Sequence, residues 1–142
     1  MRFMTLYKPG KESDAPPTQK EMEDMGRLIG EMAQAGVLIA TDGLQPSSKG
    51  ARVKFSGDKR IVTDGPFAET KELVAGFWIW KCASMAEAIE WAKKCPNPHP
   101  GQESEIEIRP FFELEDFGGD FSPELHERFE KLQLQAEANQ KK

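Results

Sequence analysis

Asp64-Gly65-Pro66-Phe67-Ala68-Glu69-Thr70-Lys71-Glu72 lies between two strand-like runs and decides how the rest of the chain is read. Gly65-Pro66 is a turn signal. A turn does not by itself call for Asp64, Glu69, Lys71 and Glu72 arranged around Thr70. Just before it, Arg52-Val53-Lys54-Phe55-Ser56 and Lys59 through Thr63 flank Gly57-Asp58, which reads as a β-hairpin with glycine at the first turn position, as a type II′ turn prefers. Counting outward from that turn puts Val53 opposite Val62 and Phe55 opposite Arg60. Just after it, Val74-Ala75-Gly76-Phe77-Trp78-Ile79-Trp80 is apolar on both faces. Val74, Gly76, Trp78 and Trp80 share one side; Ala75, Phe77 and Ile79 share the other. A strand buried on both sides belongs inside a sheet.

The ends of the chain complete the pattern. Residues 2–7 form a second two-faced strand, with Phe3 and Tyr7 on one side and Met4 and Leu6 on the other. A polar loop from Lys8 to Pro17 leads to a helix opened by a Thr18/Glu21 capping box. Met22, Met25, Ile29 and Met32 form its apolar stripe, and Gly36 suits the left-handed residue that ends it. Val37 to Ala40 is a short strand, and Thr41 to Gly50 a loop rich in Gly, Pro and Ser. A second helix opens at Ser84 and Glu87, carries Met85, Ala88, Ile89 and Ala92, and stops before Pro96. The last strand, about residues 105–114, places Ile106, Ile108, Phe112 and Leu114 on one side. Pro110 cannot donate to a ladder, so this strand belongs at a sheet edge.

The order is β-α-β, an inserted hairpin, then β-α-β. It predicts an α+β fold: a ferredoxin-like split βαβ sheet with the first and third main strands inside. The nine-residue stretch resembles the signature of the DGPF, or YCII-related, family, and the resemblance covers roughly residues 1–114. It implies a homodimer in which two such sheets face each other as a dimeric α+β barrel. Residues 115–142 form a second region, an amphipathic helix with Leu125, Phe129, Leu132 and Ala136 on one stripe and Pro123 at its first position.

At 142 residues, the chain has a net charge of −5, which argues against general nucleic-acid binding, where phosphate neutralisation needs a basic face. No apolar run approaches a membrane span. The start has no apolar signal region, and Cys82 and Cys95 lack C-x-x-C spacing, so a cytoplasmic protein with reduced cysteines is expected. Lys49, Arg52, Lys54, Lys59 and Arg60 make the hairpin basic, which fits either a solvated face or an anion-binding one. Neither metal-ligand spacing nor a phosphate loop occurs, and no cofactor is expected.

For chemistry, Asp64, Glu69 and Lys71 are the candidate catalytic groups, supplying acids and a base. Thr70, Glu72, Arg109 and Trp78 are candidate ligand contacts, with Lys71 or Arg109 facing an anion and Asp64 fixing the turn. These groups become acid–base catalysts only if burial shifts their proton affinity. The alternative is a stiff turn with a buried Phe67 and a solvated Lys–Glu pair. Some proteins that this chain resembles carry a His–Asp pair with an early histidine. Here the first histidine is His99 and the other is His126, while Asp42 and Asp64 stay available as the acid of such a pair. Three functions follow. The first is a domain that binds a small polar or anionic ligand in a barrel pocket, possible as a cofactor-free isomerase or lyase. The second, from the resemblance, is a regulatory module with a partner related to extracytoplasmic-function sigma factors. The third is a structural oligomer subunit.

Overall fold

Four strands make one antiparallel sheet in the order β2-β5-β1-β6, where β1 is Arg2–Lys8, β2 Leu38–Gly43, β5 Gly76–Lys81 and β6 Glu105–Pro110. The computed structural model describes residues 1–13, 15–69, 73–97, 101–113, 115–117 and 122–142. The two strands that are apolar on both sides, β1 and β5, lie in the middle. β6 is an edge and stops at Pro110, short of the expected residue 114, because proline brings no N–H to the ladder. The Phe111 N–H makes one further bond, 2.9 Å to the Arg2 carbonyl. β2 runs three residues beyond Ala40, since Thr41 and Gly43 find partners in Trp78 and Gly76.

Two helices, α1 (Gln19–Gln34) and α2 (Met85–Lys93), supply the core that closes one face of this sheet. The buried cluster joins Phe3, Trp78 and Trp80 of the sheet to Leu28 and Met32 of α1 and Ala88 of α2. Phe3 and Trp80 are opposite each other in the register and both fully buried. Each such side chain contributes roughly 1.5–3 kcal/mol of burial free energy. α1 begins as its sequence predicts: the Thr18 hydroxyl accepts the Glu21 N–H at 3.2 Å, and the Glu21 carboxylate accepts the Thr18 N–H at 3.0 Å. Gly36 ends it at φ 74°, a left-handed conformation that glycine takes without strain. At α2 the expected box is shifted by one residue. Ser84 still accepts from the Glu87 N–H, but the Glu87 carboxylate takes the Ala83 N–H at 2.7 Å.

The helical stripes differ from the simple periodic reading. On α1 the buried residues are Leu28 and Met32, whereas Met22 is 63% exposed. The start of the stripe, at Met22, is therefore not packed against the sheet. On α2, Ala88 is buried, Ile89 and Met85 are exposed, and Trp91 packs on the core instead.

The segment that joins β2 to β5 in sequence forms a separate two-stranded ribbon, β3 (Ala51–Ser56) with β4 (Lys59–Asp64). Val53 pairs with Val62 and Phe55 with Arg60, as the count from the Gly57-Asp58 turn requires. An isolated ribbon is marginal in water. Its outer part is open, with Phe55 71% exposed, and the Arg60 guanidinium lies over that ring at 4.4 Å.

The chain divides into two units, Met1–Phe111 and Phe112–Lys142. The second contains α3 (Pro123–Gln140), capped by Ser122, whose hydroxyl accepts the Leu125 N–H at 3.2 Å. Leu125, Phe129 and Leu132 are exposed along it, and His126 faces Glu130 at 3.3 Å. Among the described residues no helix is long and apolar enough to cross a membrane.

Candidate functional site

The signature turn is fixed from outside itself. Gly65 and Pro66 are joined by a cis peptide bond, and the Gly65 N–H donates to the Gly50 carbonyl at 3.0 Å. Gly65 passes so close to the Ser47 carbonyl that a Cβ there would overlap it, which is why glycine is needed at this point. The Phe67 N–H donates to the Ser47 hydroxyl at 3.1 Å, and the Arg52 guanidinium stacks on the Phe67 ring at 3.7 Å. Ser47 is in turn held by Glu12 of the β1–α1 loop. One carboxylate oxygen accepts the Ser47 N–H at 2.8 Å and the other its hydroxyl at 2.7 Å. A chain of bonds thus runs from Glu12 through Ser47 to Phe67.

Glu12 stands between two cavities. The smaller, about 320 Å³, is walled by Ser47, Phe67, Leu73 and Val74. The larger, about 990 Å³, lies between the first half of α1 and the end of the sheet and is lined mostly by carbon. Met22, Met25 and Ile29 form its helical wall, which accounts for the exposed half of the α1 stripe. Tyr7, Gly43 and Ala75 line it on the sheet side. Tyr7, Gly76 and Gly43 sit side by side on β1, β5 and β2, and two of these three residues have no side chain. Gly76 also lets β2 come close, since a Cβ on it would be 3.1 Å from the Asp42 carbonyl oxygen. The two cavities share Glu12, Leu44, Gln45, Pro46 and Val74.

The residues picked out from sequence are spread over this region unevenly. Phe67 walls the smaller cavity. Asp64 ends β4 opposite Ala51 and is exposed; Glu69 is exposed too, and neither lines either cavity. Among the described residues the Asp64 carboxylate has no hydrogen-bond partner, and the turn-fixing oxygen is that of Ser47. Thr70, Lys71, Glu72 and His99 lie outside the described residues. Trp78 is buried on the helix-facing side of β5. Arg109 sits opposite Met4, hence on the other side of the sheet from Trp78. Asp42 is exposed, opposite Phe77. Among the described residues no group of three or more His, Cys, Asp or Glu is placed to hold a metal.

Sequence reasoning missed Glu12 and Ser47. They are 35 residues apart, Glu12 in a loop and Ser47 at the start of a one-turn 3-10 helix, and no spacing rule links them. The one available signal was the Met22-Met25-Ile29 run, which is apolar where the sheet has already ended.

Fold and site together define a small α+β domain with a ligand-sized cleft at one end of its sheet. The chain belongs to the YCII-related domain family, whose model matches residues 1–112. It is also 37% identical over 100 residues to an uncharacterized protein, R00369, of Rhizobium meliloti (strain 1021), a match that covers 70% of this chain and 77% of that one.

Proposed function

We propose that this YCII-related domain binds a small molecule in the 990 Å³ cleft under the first half of α1, and that it does so as a homodimer. The observation that carries the reading is the cleft itself. It is of the size that holds small ligands, its wall is largely apolar, and a few polar groups gather at its edge. Glu12 supports the reading further, because it borders the cleft and holds the signature turn through Ser47. A ligand at Glu12 would be sensed at Phe67. The assigned role is binding rather than catalysis, as the exposed Asp64 and Glu69 lie outside both cavity linings.

The dimer rests on the second side of the sheet. α1 and α2 both serve the Phe3–Trp80 side, while Met4, Leu6, Phe77 and Ile79 form a half-buried apolar patch on the other. Two copies of the ferredoxin-like sheet joined at that patch would give an α+β barrel, with the clefts on its outside.

The test is occupancy. In nuclear magnetic resonance spectra of the full chain, a fragment library should contain binders that move the amides of Tyr7, Gly43 and Ala75. Met22→Trp, which fills the cleft from a solvent-facing position, should abolish those shifts and leave the fold intact. A library with no binder at these amides, or binders indifferent to Met22→Trp, would overturn the reading.

A further inference from the structure

Beyond the sheet side of the cleft lies a polar group of a kind that cores seldom leave alone. Tyr7 and Gly43, which line the cleft, share a rung with Gly76, and the next rung on the same side of the sheet is Thr5–Trp78–Thr41. Two residues along a strand is about 6.8 Å. Thr41 is paired, its hydroxyl donating to the Phe77 carbonyl at 2.9 Å. Thr5 and Trp78 are not: Thr5 is fully buried and Trp78 is 4% exposed, yet among the described residues neither the Thr5 hydroxyl nor the Trp78 indole N–H has a hydrogen-bond partner. Buried polar groups are paired in the large majority of cases, so two side by side are a destabilising feature of an unliganded core. Met25 both lines the cleft and packs on the core. An unbranched, adaptable side chain is therefore shared by the cleft and the core cluster that contains Trp78.

Given a ligand in the cleft, as proposed above, we infer that it is an uncharged, mainly apolar molecule with one hydrogen-bond-accepting head, such as a carbonyl oxygen, which passes Met25 and accepts from both Thr5 Oγ1–H and Trp78 Nε1–H. A carbonyl oxygen has two lone pairs, which matches the two donors. A charged head does not fit. Among the described residues the charged side chains lining the cleft are Lys11 and Glu12 of the loop and Glu21 of the first turn of α1, and both acids are already tied, Glu12 to Ser47 and Glu21 to the Thr18 N–H. Among the described residues the inner rungs carry no cation to pair with a buried carboxylate and no acid to pair with an ammonium. A charge taken there unpaired would be strongly disfavoured.

Four probes of one shape separate the possibilities: acetophenone, ethylbenzene, benzoate and benzylamine, each titrated into the full chain at millimolar concentration. The Trp78 indole N–H resonance is assigned by its loss in Trp78→Phe. Acetophenone should move the Gly43 and Ala75 amides and the Trp78 indole signal together. Ethylbenzene should move the amides alone, and the two ions should bind at least fivefold more weakly than acetophenone. Thr5→Val keeps the shape and removes the hydroxyl. It should weaken acetophenone about fivefold and leave ethylbenzene unchanged. Amide shifts with a still indole signal, or tighter binding of benzoate or benzylamine, would overturn the neutral-acceptor assignment while leaving cleft binding in place. Four probes that leave every cleft amide unmoved would overturn both.

Discussion

Glu12 grips Ser47 twice, its two carboxylate oxygens 2.8 Å from the Ser47 nitrogen and 2.7 Å from the Ser47 hydroxyl oxygen. Both contacts have an ionised acceptor, the stronger class of hydrogen bond. Glu12→Ala should lower stability by about 2 kcal/mol in urea unfolding, within the range for bonds to charged groups. It should also raise hydrogen exchange at the Phe67 amide, which donates to the same hydroxyl. Ser47→Ala removes the other end. The two losses should add to clearly less than their sum in the double variant, because each single change already breaks the hydroxyl link. Strictly additive losses would mean that the two residues act separately.

Within the signature, the adjacent residues Asp64 and Gly65 should respond very differently to the same substitution. Gly65→Ala places a methyl group into the Ser47 carbonyl, where backbone must move. A loss of about 3 kcal/mol or more is expected, in the range of severe packing conflicts. Asp64→Ala changes an exposed residue with no hydrogen-bond partner among the described residues, so it should stay within about 0.5 kcal/mol. Chemical denaturation of the two variants side by side decides the point. A large loss at Asp64 with a mild one at Gly65 would reverse the account of how the turn is held.

Most of the sheet was legible because its signals are local. Pro110 marked an edge strand, and the double-sided apolar pattern of Arg2–Lys8 and Gly76–Lys81 marked the two central ones. Caps were legible for the same reason, as at Thr18 and Ser122, where a side chain needs to reach only three residues. The cleft was not legible. It arises where α1 overshoots the sheet, and periodicity cannot tell a methionine over a strand from one over empty space. Its sheet side brings Tyr7, Gly43 and Ala75 together, a matter of register between segments far apart in sequence. Glu12 was hidden likewise, since a lone acid in a polar loop has no pattern until Ser47 is brought to it.

Cys95 gives the fold an alkaline limit. Burial pushes its thiol up from the ordinary 9.0 to about 11. Burial also raises Cys82, with the Glu87 carboxylate adding to the effect. Between pH 9 and 11 the unfolded chain has lost the Cys95 proton and the folded chain has kept it. The unfolded state then binds fewer protons, so stability falls as pH rises through that window and is fully present below it. Unfolding midpoints followed from pH 8 upward should drop less steeply in Cys95→Ala than in the parent. Parallel curves for the two proteins would show that this thiol does not titrate as its burial requires.

The last prediction sets Ile79 against its neighbour Trp80, because consecutive strand residues face opposite sides of the sheet. Trp80 is fully buried among Phe3, Met32 and the rest of the helix-covered core. Trp80→Glu would place an unpaired carboxylate there and leave a cavity as well, so the variant should not fold. Ile79 belongs to the Met4–Leu6–Phe77 patch and is only half-buried in one chain. Ile79→Glu should therefore leave the circular dichroism of the domain intact. If that patch joins two copies, sedimentation at low micromolar concentration should give the parent as a dimer and Ile79→Glu as a monomer. A charge at the centre of an apolar interface, repeated on both copies, faces both desolvation and like-charge repulsion. A parent that sediments as a monomer, or an Ile79→Glu variant that keeps the dimer mass, would rule out this face as the interface.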